Sequence, residues 1–117
     1  MAAAAGRPGN GGSGGNNPRG NPPQGQYGAL KVIAGNDRGK VVELNKLLTT
    51  IGRGADQELV LADIAVSRRH AIIHLTQTGY RLEDLRSGNG TLVNGKRVDD
   101  VNLVEGDQIE LGNTTMR

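Results

Sequence analysis

The sequence has no cysteine, tryptophan or phenylalanine, and only two tyrosines, Tyr27 and Tyr80, among 117 residues. Without cysteine there is neither a disulfide framework nor a thiolate metal site, and a reducing compartment is compatible. With so few aromatic rings, any core must be assembled from leucine, isoleucine and valine. No apolar run approaches transmembrane length, and the four alanines after Met1 are too few for the apolar stretch of a signal peptide. The chain therefore reads as soluble and cytoplasmic.

Proline is missing from the last three quarters of the chain. All four prolines and nine of the nineteen glycines fall within residues 1–28, where Arg7 and Arg19 are the only charges. Such a segment buries too little apolar surface to offset its ordering entropy, so 1–28 is expected to be a disordered tail and 29–117 one folded domain. An excess of one charge is also missing. Setting aside Arg7 and Arg19 leaves twelve basic and twelve acidic residues in 29–117. A general nucleic-acid binder carries net basic surface, so a neutral domain argues against that class, and any anion site must be local. The sequence stops at "TTMR", which reads as a strand and points to a piece of a longer protein.

From Leu30 onward apolar residues recur with period two in short bursts between turn formers, the pattern of strands rather than amphipathic helices. "ALKVIAG" puts Leu30 and Val32 on one face; "KVVEL", "LLTTIG", "ELVL", "HAIIHLT" and "YRLEDL" follow. "TLV" and "KRV" flank Asn94-Gly95, the signal for a type I′ hairpin. "DQIEL" and the terminal strand complete ten to eleven strands without a convincing helix. An all-β antiparallel sandwich is the expected architecture.

Catalytic and metal chemistry finds little support. Asp99 and Asp100 are adjacent, so on an extended chain they point apart, and they read as turn residues. His70 and His74, the only histidines, have no acidic partner at metal-ligand spacing. "DLRSGNGTLVNG" fails as a calcium loop because Arg86 and Gly88 stand where oxygen donors are needed. "GRG" and "GNG" lack the spacing of a dinucleotide or P-loop motif. The expectation is a non-enzymatic protein with no metal and no cofactor.

What is present is a series of loop signals: "IGRG" with Arg53, "SRRH" with Ser67, Arg68 and His70, "SGNGT" with Asn89, Gly90 and Thr91, and "VNG" with Asn94 and Gly95. In this order and on this strand pattern they resemble the forkhead-associated (FHA) domain, a β-sandwich family that binds phosphothreonine peptides. The resemblance covers about 30–117. A phosphothreonine carries nearly two negative charges and three acceptor oxygens, so its site needs a guanidinium and further donors on rigid loops. The resemblance implies that Arg53 is the principal phosphate partner, that Ser67 and Arg68 donate to the phosphate, and that Arg69 faces solvent or scaffold. It implies that Asn89 binds the peptide backbone, against the alternative of a turn residue. His70 is implied to brace the loops rather than touch ligand, with Gly52, Thr91, Asn94 and Gly95 as further architectural support.

Two positions depart from the pattern. Gly88 occupies a ligand-contacting position where relatives often have a hydroxyl, and Ala65 stands where some relatives select the residue three beyond the phosphothreonine. The function implied is a phosphothreonine-peptide module for interactions in Ser/Thr kinase signalling, acting as a monomer without nucleic acid or membrane. Alternatives are a phospho-independent scaffold, or weak RNA binding by the tail. Residues 1–28 contain Ser13 but no threonine, which argues against the tail as an internal ligand.

Overall fold

The structure is a computed structural model and describes residues 27–117. The strands are β1 (Ala29–Ala34), β2 (Val41–Glu43), β3 (Leu48–Gly52), β4 (Leu59–Val60), β5 (Ala71–Thr76), β6 (Gly79–Asp84), β7 (Thr91–Val93), β8 (Lys96–Val98), β9 (Asp100–Leu103), β10 (Ile109–Leu111) and β11 (Thr114–Met116). Among the described residues none is helical. One sheet has six strands in the order β2-β1-β11-β10-β7-β8, and the other has five in the order β4-β3-β5-β6-β9.

Alternation decides which side chains meet between the sheets. In β1, Leu30 and Val32 turn inward while Ala29, Lys31 and Ile33 face out. The core joins Val32, Ile51, Leu61, Ile73, Leu82 and Leu111, none more than 1% exposed. Branched aliphatic side chains thus fill the space, and the one ring among them is Tyr80, 6% exposed. The Asn94-Gly95 hairpin forms as expected, with φ of 53° and 84° at its two turn residues and Val93 paired with Lys96.

Two features differ from the sequence reading. Asp100 is not a turn residue: it opens β9, opposite Glu83, and its carboxylate accepts from Arg81. Val101 and Leu103 carry the alternation of this strand, which two leading aspartates disguise. The sandwich is also not wholly antiparallel, because β4 pairs with β3 in parallel, Ile51 opposite Leu59. The chain leaves β3 at Gly52, loops outward and returns to lie beside it in the same direction. The expected disordered tail lies outside the described residues except for its last two, Tyr27 and Gly28.

β3 ends, β5 begins, β6 ends and β7 begins at one end of the sandwich, so the segments 52–54, 61–70 and 85–90 converge there.

Candidate functional site

The loop signals meet at that end through close backbone packing. Arg53 N–H donates to Ser67 O and Gly54 N–H to Arg68 O, each at 3.0 Å. These bonds bring the backbones so near that a Cβ on Gly52 would lie 2.2 Å from Arg68 O. Only glycine fits. Arg53 itself is exposed; its Nε donates to Val66 O at 3.0 Å, which orients the guanidinium and leaves its terminal amino groups unpartnered among the described residues.

His70 ties the next two loops together. It is fully buried, Nδ1 accepts the Ser67 N–H at 2.9 Å, and Nε2 lies 2.9 Å from Gly90 O. A nitrogen that accepts an N–H carries no proton, so the hydrogen sits on Nε2 and donates to Gly90. A ring with both nitrogens engaged by backbone is unsuited to proton transfer with a ligand.

Ser67 Oγ accepts the Gly88 N–H at 3.0 Å, so its own hydroxyl hydrogen remains available for an acceptor outside. Asn89 is exposed and donates Nδ2 to Ala65 O at 2.7 Å, leaving its amide oxygen without a partner. Gly88 contributes its N–H to Ser67 and no side chain. Arg68 and Arg69 are both exposed without a hydrogen-bond partner among the described residues. Both sit close enough to Asp56 to help hold its carboxyl low, behind the bond from Gln57 and that from its own backbone. The structure thus gathers Arg53, Ser67, Arg68, Gly88 and Asn89 at one end.

Two carboxylates were not recognised from the sequence. Asp84, at the end of β6, accepts Ser87 Oγ at 2.6 Å, Ser87 N at 3.0 Å and Thr91 Oγ1 at 2.7 Å. Ser87 Oγ in turn accepts Gly90 N–H at 2.9 Å. Burial raises the Asp84 carboxyl, yet the hydroxyl and N–H donors outweigh it and hold the group below the usual carboxylate range. Asp63, 3% exposed, behaves alike: burial is opposed by bonds from Thr114 Oγ1 and the N–H groups of Ala65 and Asn113, and its carboxyl is held below the usual carboxylate range. The Asp84-to-Ser87 spacing, an aspartate folding back on a loop serine, was the available signal. Thr91 is buried in this network. Asn94 lies further off, locking the hairpin by donating to Asp107 Oδ1 and accepting Gln108 N–H.

A two-sheet sandwich whose loop arginines, hydroxyl and amide converge at one end defines a scaffold that presents polar donors from rigid loops. Residues 31–117 match the family model described as the inner membrane component of the type III secretion system, cytoplasmic domain. The glycogen accumulation regulator GarA of Mycobacterium tuberculosis is 37% identical over 83 residues, covering 71% of this chain and 51% of that protein. The oxoglutarate dehydrogenase inhibitor of Corynebacterium diphtheriae is 35% identical over 91 residues, covering 78% and 63%. Among solved structures, one from a study of phosphothreonine-dependent FHA domain interactions is 38% identical with a TM-score of 0.70, covering 75% of this chain and 90% of that one. The FhaA FHA domain complexed with the intracellular domain of Rv3910 is 36% identical, TM-score 0.69, covering 75% and 94%. The chain belongs to the forkhead-associated domain family, with an FHA-like secretion component as its matching family model. It spans about half the length of GarA, the first of these relatives.

Proposed function

We propose that residues 29–117 form a non-catalytic reader of phosphothreonine in partner proteins, acting in the cytoplasm in Ser/Thr kinase signalling. The observation that carries this reading is a set of polar groups left open on braced loops: the exposed Arg53 amino groups and Arg68, the half-buried Ser67 hydroxyl and the exposed Asn89 amide. Arg53 and Arg68 take the dianion, Ser67 adds a short neutral donor, and the Asn89 amide fixes the peptide backbone. His70, Gly52 and Thr91 hold the geometry without touching ligand. Similarity to domains studied for phosphothreonine dependence supports the assignment. The cytoplasmic placement rests on the description of the matching family model as a cytoplasmic domain.

The match to a secretion component favours a second reading, a phospho-independent assembly domain. Amide shift mapping by NMR with phosphothreonine, phosphoserine and unphosphorylated peptide libraries separates the two. Shifts for phosphothreonine alone, centred on Arg53, Ser67, Arg68 and Asn89, are expected. Equal response to all three libraries, or to none, refutes the reader.

A further inference from the structure

Arg97, on β8, belongs to none of the motifs that lead to the site. Its guanidinium lies where a Cβ on Gly90 would be: that position is 2.8 Å from Nε, 2.9 Å from Cζ and 3.2 Å from Nη2. The pairing explains the placement. Arg97 stands opposite Leu92, so Gly90 is its diagonal neighbour on the same outer face, and the side chain leans along the strand toward the loop end. Gly90 leaves room for it, with φ of +83° and its carbonyl held by His70.

The hairpin that carries Arg97 is fixed at its turn by Asn94, bonded to Asp107 and Gln108. Arg97 is nonetheless exposed, and among the described residues its guanidinium has neither a hydrogen bond nor an ion pair. Two acids of the adjoining loop and strand have other partners. Asp84 is occupied by Ser87 and Thr91. Glu110, across Leu92 on the same face, takes Gln108. A cation held by packing, without an anion, and resting on the residue next to Asn89 is preorganised for an acceptor from outside.

We infer that Arg97 is a second anion contact of the site, taking a carboxylate or a second phosphate that flanks the phosphothreonine where the bound peptide passes Gly90. This rests on the phosphothreonine reading and deepens it. The preferred ligand is an acidic or doubly phosphorylated segment, and the domain's neutral balance is locally broken by Arg53, Arg68 and Arg97.

The test is calorimetry on the full chain and on Arg97→Gln. The phosphothreonine peptides have neutral flanks, an aspartate scanned through the three positions on either side, or a second phosphothreonine at those positions. For the wild type, at least one acidic flank is expected to raise affinity about three- to tenfold, the scale of one partly exposed charged contact. In Arg97→Gln the ratio of acidic-flank to neutral-flank affinity falls to about one, and Arg97→Lys restores part of it. The aspartate and second-phosphate arms tell which anion is preferred. A ratio that survives Arg97→Gln, or no gain at any position, overturns the inference while binding of the neutral peptide keeps the reader standing. Absence of binding to every phosphothreonine peptide overturns both.

Discussion

The two ends of the sandwich are held by different chemistry. At the loop end, buried polar groups do the holding: His70, Asp63, Ser87, Thr91 and Thr114 are all under 10% exposed. They satisfy backbone N–H and C=O groups that irregular loops leave outside any ladder. At the other end Tyr80 is the principal fastener. Its hydroxyl donates to Leu44 O and accepts Gly28 N–H, each at 2.9 Å, and burial pushes its pKa up. Around it lies an open groove lined by Leu30, Leu103, Val104 and Ile109, whose lining arginine, Arg117, is bonded to Gln108. A site for a highly charged ligand needs loops that do not shift when the charge arrives, and a polar network supplies that because its members have one satisfied geometry. Apolar packing tolerates more rearrangement.

The largest expected effect comes from breaking the backbone approach that closes the loop end. Gly52→Ala drives a methyl into Arg68 O and should cost about 3 kcal/mol or more, read as a lowered urea midpoint, because backbone cannot move aside as a flexible side chain can. A loss under about 1 kcal/mol would mean that the segments 52–54 and 67–68 part easily and that the loop end is not rigid.

Next comes Arg53→Ala. Its predicted loss is about a hundredfold in phosphopeptide affinity by calorimetry, or about 2.7 kcal/mol, with the fold retained because the side chain is exposed. Retained affinity would take Arg53 out of the site.

The sharpest contrast between the ends is a pair of variants. His70→Ala leaves Ser67 N–H and Gly90 O without partners in a buried place and should cost about 2–3 kcal/mol, while also weakening phosphopeptide binding. Tyr80→Phe strands Gly28 N–H and Leu44 O at the far end and should cost about 1–2 kcal/mol with affinity unchanged. Should Tyr80→Phe reduce affinity as His70→Ala does, the two ends are coupled and the division fails.

The smallest effect is acid sensitivity, assigned to the loop end. Against the opposing effect of burial, hydroxyl and N–H donors hold the Asp63 and Asp84 carboxyls below the ordinary carboxylate range in the folded chain. A depressed folded pKa contributes stability that is complete above the unfolded value and is lost as pH falls through the folded one. Stability should therefore decline below roughly pH 4. Denaturant titrations of Asp84→Asn and Asp63→Asn should show flatter acid limbs, and limbs parallel to the wild type would remove these carboxylates from the account.

Much of the fold was legible because alternation is written into short strands. Leu30 and Val32, or Tyr80 and Leu82, announce their inward faces by spacing alone. β9 was hidden because Asp99 and Asp100 carry turn propensity, and pairing with β6 overrides propensity once Val101 and Leu103 gain a core to enter. The parallel β3–β4 pair was equally hidden, since strand direction depends on where a loop returns. In the site, Arg53, Ser67, Arg68 and Asn89 were visible as motif residues, while Asp84, Asp63 and Arg97 were not. Ser87 lies only three residues from Asp84, but Thr91, which completes that network, and Gly90, on which Arg97 rests, lie seven residues from their partners, and Thr114 lies fifty-one from Asp63.

By itself the sequence determined the strand content, the Asn94-Gly95 hairpin, the aliphatic core and the residue types available for an anion, because each depends on local spacing and side-chain chemistry. The tertiary structure alone decided which donors remain free. Arg53 Nε is committed to Val66 and Asp84 to Ser87 and Thr91, whereas Arg68 and Arg97 keep guanidinium groups without a partner among the described residues. Whether a polar group is consumed or available is a property of its three-dimensional partners, and those are set by the packing of two sheets.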